Sequence, residues 1–281
     1  MRPAPTPGAR GSGPRYPGPH YTGAGHALHA EWTKARTAGG TGWLLLAIIA
    51  ATVTVGGAVA AATRCPAAGC GQDPAKVSLS GVDLGQALVA MAAVLAISGE
   101  YGTGMIRVTL TAMPRRTTLL AAKAAVLTGL VLAAGTVAVL GSVLAGRLIL
   151  PGHGFTTAHG YPPLSLADGP YLRAAAGSVL YLSLVGLLGL GIATAIRDSA
   201  VAIGGVLGLL YLFPVVAAAI PNPAWQRHLE QIAPMSAGLA IQATTGLRGM
   251  PISPWAGLAV LAPWAAGAML ASGLLLRPRD A

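Results

Sequence analysis

The side chains able to do chemistry are few: two cysteines, six histidines, three lysines and eight carboxylates in 281 residues. A zinc hydrolase of the HExxH type needs two histidines one helical turn apart, with a glutamate directly after the first as general base. His26 and His29 are three apart and Glu31 follows neither. His153 and His159, in PGHGFTTAHG, offer two ligands where a closed structural zinc site takes four, so they read as loop polarity. No GxSxG presents a serine on a nucleophile elbow. A phosphate-binding loop requires GxxxxGK[ST], so that a lysine follows glycine into the phosphates. Lys34, Lys76 and Lys123 follow threonine or alanine. The chain is therefore read as no enzyme, with no catalytic residue, no metal site and no cofactor of its own; ATP hydrolysis, where it drives this chain, belongs to another. Cys65 and Cys70 flank a four-residue turn, and the spacing fits either a local disulfide or two thiols.

An ion-coupled transporter needs ionisable groups deep in its spans. Here the apolar blocks are almost free of charge: Asp83 stands two residues inside the second block, Glu100 just beyond its other end, and Arg197-Asp198 forms a tight turn. That pattern argues against a proton-driven antiporter. The pairs Gly81/Gly85 and Gly204/Gly208 have the spacing of close helix contacts in lipid, a weak signal among 39 glycines.

The elements that must carry these residues follow from solvent. Mean hydropathy is +0.64, 54% of residues are hydrophobic and 9% charged. A soluble domain carries about 25% charged residues. The apolar residues fall in blocks of roughly 20, the length that crosses a hydrocarbon core at 1.5 Å per residue. The expected fold is an all-α integral membrane protein with about six spans near 42–62, 81–99, 119–146, 173–196, 199–220 and 254–276. Residues 25–276 form the single transmembrane domain. Residues 1–24, rich in proline, glycine and arginine, read as a disordered tail, and 277–281 as a second tail. A cleaved signal ending at AVAAAT is disfavoured by the long preceding segment and by Arg64 before Cys65.

Residues 25–37 (GHALHAEWTKART) suit a short interfacial helix, with Leu28, Trp32 and Ala35 near one face and Glu31, Lys34 and Arg36 elsewhere. Placing both termini in the cytoplasm puts twelve basic residues inside and six outside, as the positive-inside rule requires. The net charge of +10 is then topogenic, and no nucleic-acid partner is expected. Pro221–Ser253 is too polar for a span yet apolar over Ile232–Ala243, which predicts a short re-entrant or interfacial helix pair before the last span.

The most informative stretch is ISGEYGTGMIRVTLTAMPRRTTLLAAK, residues 97–123. It resembles the first cytoplasmic loop of permease subunits in the type-2 family of ABC exporters, especially actinobacterial ones. The residues that carry the likeness are Glu100, Tyr101, Thr103, Gly104, Ile106, Arg107, Pro114 and Arg115. Glu31, Trp32 and Lys34 resemble that family's N-terminal connecting helix, Ala195–Ser199 its turn between spans four and five, and Pro221, Trp225, Pro234, Ala237, Gly238 and Ile241 its last outer segment. Gly102 departs from the pattern, where a charged or bulky residue is usual. The resemblance implies a multi-pass plasma-membrane half-transporter. It would pair with a second permease, as homodimer or heterodimer, and bind a separate nucleotide-binding ATPase, which holds ATP and Mg, through the connecting helix and first loop. The competing expectation is a secondary transporter, or a non-transport immunity or assembly protein.

Overall fold

Blocks of apolar residues too long for a soluble core become helices because lipid offers the backbone no hydrogen-bond partner, and a helix satisfies each amide within itself. In the computed structural model, which describes residues 24–66, 70–102 and 116–275, these helices run in order. They are α1 (Ala24–Thr37), α2 (Gly39–Ala62), α3 (Pro74–Leu79), α4 (Val82–Gly102), α5 (Arg116–Ile149), α6 (Gly169–Ile196), α7 (Ser199–Ala219), α8 (Pro223–Ile232), α9 (Pro234–Leu239) and α10 (Pro254–Leu275). No strand occurs among the described residues. Among the described residues, six helices are long and apolar enough to cross a membrane: α2, α3 continuing into α4, α5, α6, α7 and α10. The protein is thus an all-α membrane protein with six spans. The even number brings α1 and the end of α10 to one end of the bundle, called here the terminal end; the other is the distal end.

The second span begins earlier than its apolar block. Asp73 caps α3, accepting from the amides of Ala75 and Lys76, with Pro74 in the first turn, where its missing N–H costs nothing. At the far side of the chain, α6 is the hub. It packs against α10, α4, α5 and α7, and 67% of its apolar stretch is inside the protein against 22% for each of α2, α7 and α10. Tyr181, Leu182, Val185, Leu188 and Leu190 of α6 form the centre of the main core.

Small residues set the closest approaches. Gly81, at the α3–α4 junction, lies against the backbone of Thr52 in α2, where any Cβ would overlap the Thr52 carbonyl oxygen. Gly85 meets the Thr52 side chain one turn later. The Gly204/Gly208 pair on α7 has no neighbour within 4 Å. One pattern, two outcomes: only the first is a helix contact within this chain.

The segment before the last span forms the helix pair that its composition predicts. Asn222 caps α8, accepting from Ala224 N at 2.9 Å, again with a proline next in line. No residue of α8 is buried. Ala233-Pro234 then turns the chain into α9, whose Ala237 and Gly238 are buried, followed by the buried turn Ala240–Gln242. This second half packs on α10 and α6.

Candidate functional site

The terminal end holds a charged cluster that joins three helices. Glu31 of α1 accepts from Lys34 Nζ at 2.8 Å and, through its other oxygen, from Lys123 Nζ of α5 at 2.7 Å. Lys123 also donates to the carbonyl of Ala96 in α4 at 3.3 Å. The Glu31 and Lys123 side chains are 4% and 6% exposed. Lys123 lies two turns inside a helix that starts at Arg116, so the lysine reaches the carboxylate only because α1 folds down onto the bundle.

That docking orients α1 in a way the sequence pattern does not suggest. The bundle-facing residues are Ala27 and Glu31, while Leu28 and Trp32 are exposed. Charge turns inward and the apolar face outward. In lipid this is the favourable arrangement: apolar side chains meet hydrocarbon, and the charges find partners within the protein. Arg36 stands over the Trp32 ring at 6.0 Å.

Burial raises the Glu31 pKa, but the charges and hydrogen bonds of Lys123 and Lys34 outweigh it, and the carboxyl ends below its ordinary value. Glu31 therefore stays ionised through the neutral range. A cavity of about 520 Å³ opens beside the cluster between α1, α2, α4 and α5, walled by Leu44, Ile48, Leu95, Leu127 and Leu130. Gly99, the residue before Glu100, is part of its lining.

Of the residues expected to contact an ATPase, Glu31, Trp32 and Lys34 gather on α1 as described. Glu100 and Tyr101 belong to the last turn of α4, four and five positions after Ala96. Thr103, Gly104, Ile106, Arg107, Pro114 and Arg115 lie outside the described residues. Lys123 was not among the expected site residues. Its separation from Glu31 by 92 positions leaves no local signal, although an isolated lysine in an apolar block is by itself a reason to look for a partner.

The distal end is stitched differently. Cys65 and Cys70 are joined by a disulfide. Beyond capping α3, Asp73 accepts from Thr244 N at 2.5 Å, Thr244 Oγ1 at 2.7 Å and Thr245 N at 3.0 Å, fastening the start of the second span to the loop before the last. Arg173 of α6 donates to the Ala243 carbonyl beside it. Deeper, Tyr181 donates to Gln86, and Tyr211 to the Asp83 carbonyl. His159 Nδ1 lies 2.7 Å from the Gly154 carbonyl oxygen, holding its own loop. No group of three or more metal-ligating side chains occurs among the described residues.

Fold and site together define a multi-pass membrane protein whose first helix is locked to its bundle by buried charge. The chain matches no known family model and no curated protein.

Proposed function

We propose that the chain is the permease subunit of an ATP-binding-cassette exporter in the plasma membrane, forming the translocation path with a second permease and taking its energy from a separate ATPase. The observation that carries this reading is the Glu31–Lys123–Ala96 junction. An ATPase that pushes on membrane helices needs a stiff contact element tied to the spans. Here α1 is tied to α4 and α5 at the place where the chain leaves α4 for residues 103–115. A push on α1 or on that loop is delivered to both spans through a buried, charge-assisted contact rather than through a loose surface helix.

A buried ion pair is also what a proton-coupled secondary transporter uses. Glu31, however, is held ionised by two lysines, its pKa lowered rather than raised toward neutrality. That suits a structural joint better than a proton carrier.

The test is affinity purification of a C-terminally tagged copy from native-host membranes in mild detergent. A stoichiometric P-loop ATPase should co-purify, and the double reversal Glu100→Lys, Arg107→Glu should lose it while membrane insertion is retained. Complex formation unaffected by the reversal would remove the loop from the coupling site. A partnerless chain, even after crosslinking, would favour the secondary-transporter or immunity reading.

A further inference from the structure

The distal end contains a second cavity, of about 440 Å³, between α3, the start of α4, the end of α7 and the α8–α9 pair. Its volume falls within the range of small-molecule sites, roughly 300–1,000 Å³. Its apolar wall comes from Pro214, Ala217, Leu239, Met250 and Ile252, and its charges are Asp83, Glu230 and Lys76. Such a mixture, apolar walls with a few charges, is the usual make-up of a ligand site.

The sign of the charge sets it apart. The chain carries +10 overall and only eight carboxylates. Two of the eight face this cavity against a single lysine, so it is locally acidic on a basic protein. At the terminal end the charges satisfy one another, Glu31 bridging Lys34 and Lys123. The distal charges do not: among the described residues the Asp83 carboxylate accepts no hydrogen bond and forms no ion pair, and Glu230 has only a 3.2 Å bond from Gln226. Tyr211 and Asp83 are linked through the Asp83 main-chain oxygen, which fixes α7 to α4 and leaves the carboxylate to the cavity. Asp83 stands nine residues inside the second span, where an ionisable side chain characteristically faces the bundle interior or a water-filled cavity and marks a functional site.

We infer that this cavity binds an amphipathic organic monocation, with the cationic group between Asp83 and Glu230 and its apolar body against Pro214, Leu239 and Ile252. Lys76 disfavours a second positive charge. Neutral hydrogen-bonding groups, Ser80, Ser236 and Gln242, complete the polar side, with Gln242 held by Ser178 of α6. The inference goes beyond the exporter reading and does not depend on it, since binding to the isolated chain requires neither nucleotide nor partner.

The experiment is equilibrium binding of a fluorescent monocation, rhodamine 6G, to the purified full-length chain in detergent. Competition uses two ions of matched shape and opposite charge, tetraphenylphosphonium and tetraphenylborate. Saturable binding displaced by the phosphonium and not by the borate is expected. Asp83→Asn and Glu230→Gln should each weaken it at least about ten-fold, the loss of one nearby attractive charge, and Lys76→Gln should tighten it. Glu230 lies on α8, none of whose residues is buried, so its variant keeps the test decisive if Asp83→Asn does not fold. Non-saturable uptake, equal displacement by the borate, or full affinity in a folded Glu230→Gln protein would each overturn the assignment. None of these results bears on whether an ATPase co-purifies, so failure here and failure of the exporter reading are separable.

Discussion

The two ends of the bundle are held together by different chemistry. At the distal end, hydrogen bonds to one carboxylate and an arginine–carbonyl contact join the first interspan connection and α6 to the last, and a disulfide closes the first connection on itself. At the terminal end, one glutamate and two lysines tie α1 to the spans beside an open apolar cavity. Many neutral and charge-assisted bonds to backbone make a joint that has one geometry. One buried ion pair makes a joint that holds α1 firmly while intact and whose loss frees that helix without breaking the packed core. The difference makes the distal fastening part of the global fold and the terminal one specific to α1.

The largest test of that contrast is Asp73→Ala. It removes an N-cap and leaves the amides of Thr244 and Thr245 without an acceptor, for an expected loss of about 3–5 kcal/mol. Thermal unfolding in detergent should fall sharply and in a single transition. A minor change would mean that the distal end is not held by this carboxylate.

Next in size, Lys123→Met should cost about 3 kcal/mol, because breaking a buried pair leaves Glu31 partly uncompensated. The effect should be local. A spin label replacing Leu28 should gain mobility while the main unfolding transition moves little. Acid supplies the same perturbation. Glu31 titrates below its ordinary value, so its contribution is complete above the unfolded carboxylate range and is lost as pH falls through the lowered folded value. Label mobility should therefore be constant from neutral pH to about 5 and rise below it, and Glu31→Gln should abolish that dependence. Global unfolding in step with label release would erase the distinction between the two ends.

Gly81→Ala comes third, at about 1–3 kcal/mol for overpacking against Thr52. Gly204→Ala, facing open space, should be close to neutral, and the pair is read most simply by comparing unfolding midpoints. Smallest is the disulfide: Cys65→Ser with Cys70→Ser should cost on the order of 2 kcal/mol, since so short a loop restricts the unfolded chain little. A loss larger than that of Asp73→Ala would make the disulfide, rather than the carboxylate, the main distal fastening.

These residues also show where the sequence was readable. The six apolar blocks are self-evident, because length and absence of charge alone decide whether a helix crosses lipid. The helix pair before the last span was legible too, from an apolar run too short to cross. The extra helix α3 was not, since Lys76, Ser78 and Ser80 interrupt its hydropathy, although Asp73-Pro74 is a recognisable helix start. The inward turn of Glu31 was hidden because amphipathic reasoning assumes that charge seeks water, and beside a bilayer charge can seek the protein instead. Gly81/Gly85 and Gly204/Gly208 share one spacing and differ only in what stands opposite, which no local pattern records. The Asp73–Thr244 and Glu31–Lys123 contacts span 171 and 92 positions, and pairings of that range are a property of the assembled bundle.

The turn between α6 and α7 bears on how the protein is made. Only Arg197, in a left-handed conformation, and Asp198, which caps α7 through the Val201 amide, separate the two helices. Two residues cannot reach across a bilayer, so the end of one helix and the start of the next share one face of the membrane and the two form a hairpin. The central helix, the one with the most surface to lose to its neighbours, then meets α4 and α5, made before it, with α7 at its side, and α10, which follows later in the chain, completes its burial.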